Sequence, residues 1–255
     1  MYKKLKRVLK ISIAVFFLII AVKLYLDYKN IDLADYTSGI SLDMLGFGNK
    51  HDNSDYKILD IKNLNQNDGY PTGCESVSAV MMLKYYGYTV SVEEFINGYL
   101  NTAELKLKDG KLYGPSPYEY YIGNPTKIFG YGCFAPVITD ALERFVEGKY
   151  TVKDLTGTSL DNIARKYIKE DIPVMLWVSI DMRQITEGRK WIIESTNEEF
   201  TWPSGEHCMV LVGYDAENYY LNDPYNNNGL VKYEKSLVNS VYESLGSQAI
   251  ALIKN

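Results

Sequence analysis

Histidine is the scarcest reactive residue in this chain. The 255 residues contain two, His51 and His207, and only three cysteines, Cys74, Cys133 and Cys208. Three thiols cannot build a disulfide framework, and at least one must stay unpaired. Two histidines and three scattered cysteines also leave no ligand pair at short spacing, so no metal and no cofactor is expected. The sequence has no G-x-x-x-x-G-K-[ST] loop to cradle a nucleotide phosphate. It has no internal repeat and no low-complexity segment. Basic residues cluster only in the first ten positions, the net charge is -5 and the pI about 5.2, so nucleic acid is not an expected partner.

What is present begins with "MYKKLKRVLKISIAVFFLIIAVKLYLDYK". Lys3, Lys4, Lys6, Arg7 and Lys10 precede an apolar run from Ile11 to Val22, the form of an export signal. No A-x-A-like cleavage site follows Val22. Counted from Val8 to Leu26, with Lys10 and Lys23 reaching for the interfaces, the segment has about the 17–25 residues a span needs. Residues 1–27 are therefore read as a signal anchor in preference to a cleaved signal. Residues 28–55, which include His51 as a solvated surface residue, are read as a juxtamembrane linker. Positive charge stays inside, so the rest of the chain is expected outside the cytoplasmic membrane.

The remaining residues, 56–255, have 46% hydrophobic composition chain-wide and suffice for one sizeable core. "KILDIKNLNQ" suggests a weak first strand. In "NQNDGYPTGCESVSAVMMLKYYGY", Val77, Val80, Met81 and Lys84 or Tyr85 follow the spacing of one buried helical stripe, and Gly87 ends the helix. "SVEEFINGYL" carries a capping-box pattern, with Ser91 at the N-cap and Glu94 three positions on. A Gly-, Pro- and Tyr-rich loop then feeds a helix over Pro136 to Phe145, and "SLDNIARKYIKED" gives another. "IPVMLWVSID", "HCMVLVGYD" and "NYYLND" read as strands, the last two joined as a hairpin by "AEN". Helices first and strands second imply an α+β fold.

Cys74 directly follows Gly73 at a predicted helix start. The thiolate is the nucleophilic form, and a helix N-terminus, with its partial positive charge, favours it. A histidine from the strand region would complete a thiolate–imidazolium pair, and His207 at the mouth of its strand is the candidate. A carboxylate or amide must then hold the imidazole in one tautomer. Asp223, on the strand hairpinned to that of His207, can do so, whereas strand alternation turns Asn222 to the opposite face. Gln66, across a turn containing Gly69 and Pro71, could donate its amide to an oxyanion together with the Cys74 N–H.

The order Gln66, Cys74, His207, Asp223 is a papain-like arrangement. "NQNDGYPTGCESVSAVMMLKYYGY", "GNPTKIFGYGCFAPVITDAL", "IPVMLWVSIDM", "GEHCMVLVGYD" and "YYLNDPY" together resemble the C-thirty-nine-like cysteine peptidases. These are relatives of the double-glycine leader peptidases, found as stand-alone exported or membrane-anchored proteins of Gram-positive bacteria. The resemblance covers residues 56–255. It implies a papain-like fold, a peptide or protein substrate, Cys74 as nucleophile, His207 as base, Asp223 as orienting acid and Gln66 as oxyanion donor. Cleavage of double-glycine leaders does not carry over, because the chain lacks the transporter domains of those enzymes and the site is expected outside. A cell-wall amidase or acyl transferase on the same fold, and an inactive peptide-binding envelope protein, are the alternatives.

Four further expectations concern neighbours of these residues. Cys133 is read as a packed loop residue or a disulfide partner, and Cys208 as core. Glu75 is read as a first-turn partner of the helix dipole. Trp177, Trp191 and Trp202 are read as core or loop anchors.

Overall fold

The computed structural model describes residues 56–255. The anchor over 1–27, the linker over 28–55 and His51 lie outside the described residues. No helix among the described residues is long and apolar enough to cross a membrane.

In chain order the first elements are β1 (Lys57–Ile58), α1 (Cys74–Tyr85), α2 (Val92–Tyr99), β2 (Thr102–Ala103), β3 (Lys106–Lys108), β4 (Lys111–Gly114), β5 (Tyr121–Ile122) and α3 (Ala135–Val146). They are followed by β6 (Tyr150–Asp154), α4 (Leu160–Lys166), β7 (Val174–Ser179), β8 (Thr186–Ile193), β9 (Glu199–Ser204), β10 (Glu206–Tyr214), β11 (Asn218–Asp223), β12 (Gly229–Glu234), α5 (Lys235–Ser244) and β13 (Ala249–Lys254). A seven-stranded sheet runs β12-β11-β10-β7-β13-β6, with the short β1 paired to β10. A separate four-stranded sheet runs β3-β4-β8-β9. The fold is α+β, with the main sheet antiparallel throughout.

The centre of the main sheet fixes the site. Every residue of β10 is buried, from Glu206 to Tyr214, because strands flank both its edges and α1 packs against it. The expected single stripe on α1 is corrected: every residue from Cys74 to Leu83 is buried. The helix is buried nearly all round, its polar Glu75, Ser76 and Ser78 included, because it is packed on β10 and β7 of the sheet as well as on α2 and α3. Burying Val80, Met81, Met82 and Leu83, each fully enclosed, stabilises the fold by about 1.5–3 kcal/mol per side chain. Tyr88 N–H bonding back to the Leu83 carbonyl, with Gly87 at φ 84°, closes its C-terminal end.

The Ser91 capping box is formed on both sides: Ser91 Oγ accepts from Glu94 N at 3.1 Å, and Ser91 N donates to Glu94 Oε2 at 2.7 Å. Helix α3 starts one residue ahead of expectation, with Pro136 in its first turn. The β10–β11 hairpin forms through Asp215, whose carboxylate accepts from Glu217 N and Asn218 N. The β8–β9 hairpin, α5 and β13 form without a matching expectation. In β8–β9 the charged Arg189, Lys190, Glu198 and Glu199 interrupt any regular alternation. The hairpin is held instead by Trp191 and Trp202, whose rings stack 6.3 Å apart and pack on Tyr131 and Phe134. That packing sets the loop 131–134 over the start of α1. Trp177, Trp191 and Trp202 are all buried anchors, as expected.

Candidate active site

Cys74 is the first residue of α1, with Gly73 at the N-cap. A Cβ at Gly73 would stand 3.1 Å from both Tyr70 Cβ and Pro125 Cβ, so glycine lets the turn close tightly ahead of the thiol. The Gly73 N–H donates to the Tyr70 carbonyl, and Val77 N–H returns to Gly73 O as the helix begins.

His207 and Asp223 meet as the strand reading requires. His207 Nε2 lies 2.7 Å from Asp223 Oδ1, both side chains being almost fully buried. Asn222 faces the other way, its amide donating to the Ile61 carbonyl at 2.7 Å. Asp223 Oδ1 also accepts from Tyr225 N at 2.8 Å, and Oδ2 from the Asn228 amide at 2.8 Å. Burial alone would raise the Asp223 pKa. The His207 hydrogen bond and charge, with Asn228 and Tyr225, outweigh it and hold the carboxyl below its usual value. An ionised Asp223 fixes the proton on Nε2, which leaves Nδ1 as the accepting nitrogen of a neutral ring.

Gln66 is buried in a short 3-10 turn, and its backbone N–H donates to the carbonyl of Pro224, next to Asp223. Its side-chain Nε2 donates to the Pro71 carbonyl at 3.0 Å, and its Oε1 is buried without a partner. The amide thus spans the turn before Cys74 rather than pointing unengaged into a site. One of its two N–H groups remains for another acceptor.

The Cys74 sulfur departs from the expected pairing. Its hydrogen bond goes to Glu75 Oε2 at 3.3 Å, while the hydrogen bond of the His207 ring goes to Asp223. The expectation of a thiol pKa lowered by the helix terminus is also corrected. Burial pushes the Cys74 thiol well above its ordinary value, and the neighbouring Glu75, Glu206 and Cys208 add to the rise.

Glu75 stands in the first turn of α1, the position of the expected helix-dipole partner. It is fully buried, and its Oε1 accepts the Cys133 N–H at 2.7 Å. Glu206 is buried beside it, with Oε1 lacking any partner. One ligand-type atom each from Cys74, Glu75 and Glu206 lies within 4.8 Å of the others. Among the described residues this is a group with cation-type ligand atoms in reach of one another, and linear spacing concealed it because β10 carries Glu206 in from the far end of the chain. Burial is the main cause of a raised pKa in each group, with Glu75 pushed to about 7. All three thiols are unpaired and buried, which removes the disulfide reading of Cys133 and Cys208. Cys133 packs in its loop, its carbonyl accepting from Trp177 Nε1 at 2.8 Å.

A cleft of about 440 Å³ is lined by Asn67, Pro71, Thr72, Ile128, Tyr225 and Asn226. Pro71 and Thr72 lead to Cys74, and the Tyr225 ring stands edge-on to His207, with centroids 6.0 Å apart. On the lip, Ile128 and Phe129 are 71% and 83% exposed.

These arrangements sit in a recognisable family. Residues 58–250 match the Peptidase_C39 like family, and the chain belongs to it. It is 28% identical over 239 residues to YvpB of Bacillus subtilis (strain 168), an uncharacterised protein, covering 91% of this chain and 92% of YvpB. Among solved structures it is similar to a candidate C39-like peptidase from Bacillus anthracis, at 26% identity and a TM-score of 0.68. That match covers 78% of this chain and 98% of the other.

Proposed function

We propose that the protein is a papain-like cysteine peptidase that hydrolyses peptide bonds, anchored by its N-terminal segment with the peptidase domain outside the cytoplasmic membrane. Family membership supports the peptidase class. The buried His207–Asp223 pair at 2.7 Å carries the reading of the site. A carboxylate that engages Nε2 of a buried histidine orients the ring and leaves Nδ1 as the nitrogen able to accept a proton, the arrangement a general base needs.

In the working cycle, Cys74 Sγ turns from Glu75 toward His207 about χ1, a step between staggered rotamers that moves the sulfur by about 3 Å. Its proton passes to His207 Nδ1, and Asp223 stabilises the imidazolium. The thiolate attacks the substrate carbonyl. The Cys74 N–H, and the second Gln66 amide proton after a small shift, face the developing oxyanion. His207 returns the proton to the leaving amine, and water releases the acid from the thioester. The peptide lies in the cleft between Thr72 and Tyr225.

Incubating the full-length protein with unfolded protein substrate and scoring new amine termini tests the reading. Cleavage by the wild type and none by Cys74→Ala is expected, and equal cleavage by the variant overturns it. A second reading is favoured by one observation: the neutral Cys74 thiol bonded to Glu75 also suits an inactive peptide-binding domain. Peptide binding without cleavage by the wild-type protein would select it.

A further inference from the structure

The buried acids beside the nucleophile have no role in the cycle above, and their placement is specific. Glu75 Oε1 takes the Cys133 N–H at 2.7 Å, and Oε2 takes the Cys74 thiol at 3.3 Å. Gly132 makes room for this carboxyl: a Cβ there would stand 2.4 Å from Glu75 Oε1. Glu206, the residue before the proposed base, brings its own carboxyl within 4.8 Å of both Cys74 Sγ and Glu75, with one oxygen unpartnered. Among the described residues, no lysine or arginine forms an ion pair with either acid. The titratable groups facing Glu75 are Cys74 on its own helix, Tyr121 on β5, Cys133 on the loop before α3, and Glu206 and Cys208 on β10. All are acids. Two carboxyls this close and this buried disfavour ionising together, so their protons titrate as those of a coupled pair.

We propose that Glu75 and Glu206 form a proton-sharing acid pair that positions Cys74 in a resting state, holding its thiol neutral and turned from His207 until substrate draws the sulfur across. The pair takes no part in bond making. It sets the charge against which the thiolate must form: with one carboxylate beside it, Sγ gives up its proton only by leaving for His207 Nδ1. Substrate filling the cleft at Thr72 supplies the electrophile that makes the crossing productive. The device guards an exported enzyme's sole nucleophile against oxidation and alkylation between turnovers. It rests on the reading of Cys74 as the nucleophile.

The test is the pH dependence of Cys74 alkylation by iodoacetamide, followed on the Cys74 peptide by mass spectrometry so that Cys133 and Cys208 do not contribute. Full-length wild type, Glu75→Gln and Glu206→Gln are compared, with circular dichroism as the folding control. Glutamine at 75 keeps an acceptor for the Cys133 N–H while removing the charge. Each glutamine variant is expected to move the alkylation midpoint down by a pH unit or more. That shift makes Cys74 react roughly tenfold faster at neutral pH. A merely structural role for the acids would lower stability without moving this midpoint. If Glu75→Gln does not fold, Glu206→Gln decides alone. A folded variant of either kind with the wild-type midpoint, or a higher one, overturns the proposal. The result is independent of whether Cys74→Ala abolishes cleavage, so failure here and failure of the peptidase reading are separable.

Discussion

Asp223 offers the most quantitative test of how the site is held. In Asp223→Ala three donors lose their acceptor at once: His207 Nε2–H, the Tyr225 N–H and the Asn228 amide. A hydrogen bond to a charged group is worth about 1.5–3 kcal/mol. The His207 bond, between two almost fully buried partners, should be lost in full. The other two join part-buried groups that water can reach, so they count for less. The expected loss is about 2–4 kcal/mol in urea unfolding of the purified protein. Asp223→Asn preserves an Oδ1 acceptor for His207 and Tyr225 and needs only an amide flip of Asn228, so it should cost about 1 kcal/mol. The two variants also separate in chemistry. The alanine variant leaves the imidazole without an orienting partner and should lose about a hundredfold or more in peptide cleavage, while the asparagine variant retains more. Equal stability of wild type and Asp223→Ala within about 0.5 kcal/mol, or identical behaviour of the two variants, refutes the argument.

Other consequences follow from the same contacts. Gly132→Ala places a Cβ against Glu75 Oε1 at a backbone φ of 144°, and should destabilise the protein by about 1–3 kcal/mol in thermal unfolding. Ser91→Ala removes the Oγ that accepts from Glu94 N, one side of the capping box on α2, and should cost about 1 kcal/mol, with no change in Cys74 reactivity. Stability should fall as pH rises from about 5 to about 8 in urea titrations. The reason is that Glu75 is raised from 4.5 to about 7 in the folded chain, chiefly by burial. Folding therefore binds extra proton in that window, a contribution complete below 4.5 and lost as pH climbs through 7. Asp223, held below its ordinary 3.8, acts in the opposite sense, contributing above that value and losing its effect only as pH drops through the folded pKa. The Glu75→Gln variant should flatten the neutral slope and leave the acid limb unchanged.

The residues that sequence reasoning placed well are those governed by local periodicity. Alternation along "YYLND" correctly turned Asp223 toward His207 and Asn222 away, because strand geometry has a strict period of two. The capping box, the helix start at Cys74 and the β10–β11 hairpin are likewise short-range features. What stayed hidden was set by packing between distant segments. Glu75 reads as a helix-dipole partner from its place in the first turn, which says nothing of its burial; that depends on the loop at Cys133, which the Trp191 and Trp202 rings of the β8–β9 hairpin hold in place. Glu206 flanks His207 in the sequence with no local signal of its own, and only the packing of α1 on β10 brings it to Glu75. Burial first, and the same two acids second, explain why the Cys74 thiol is raised rather than lowered, because together they outweigh the partial charge of a helix terminus. Gly132, with its positive φ and the Glu75 carboxyl where a side chain would stand, was the one local hint.

The most direct measurement is the identity of the acylated residue. The full-length protein is mixed with an activated peptide ester, quenched in acid within the first turnover, and digested for mass spectrometry. The account predicts an acyl adduct on the peptide containing Cys74, absent when His207 is replaced by alanine. Acylation confined to Cys133 or Cys208, or none on Cys74 while substrate is being cleaved, would contradict it.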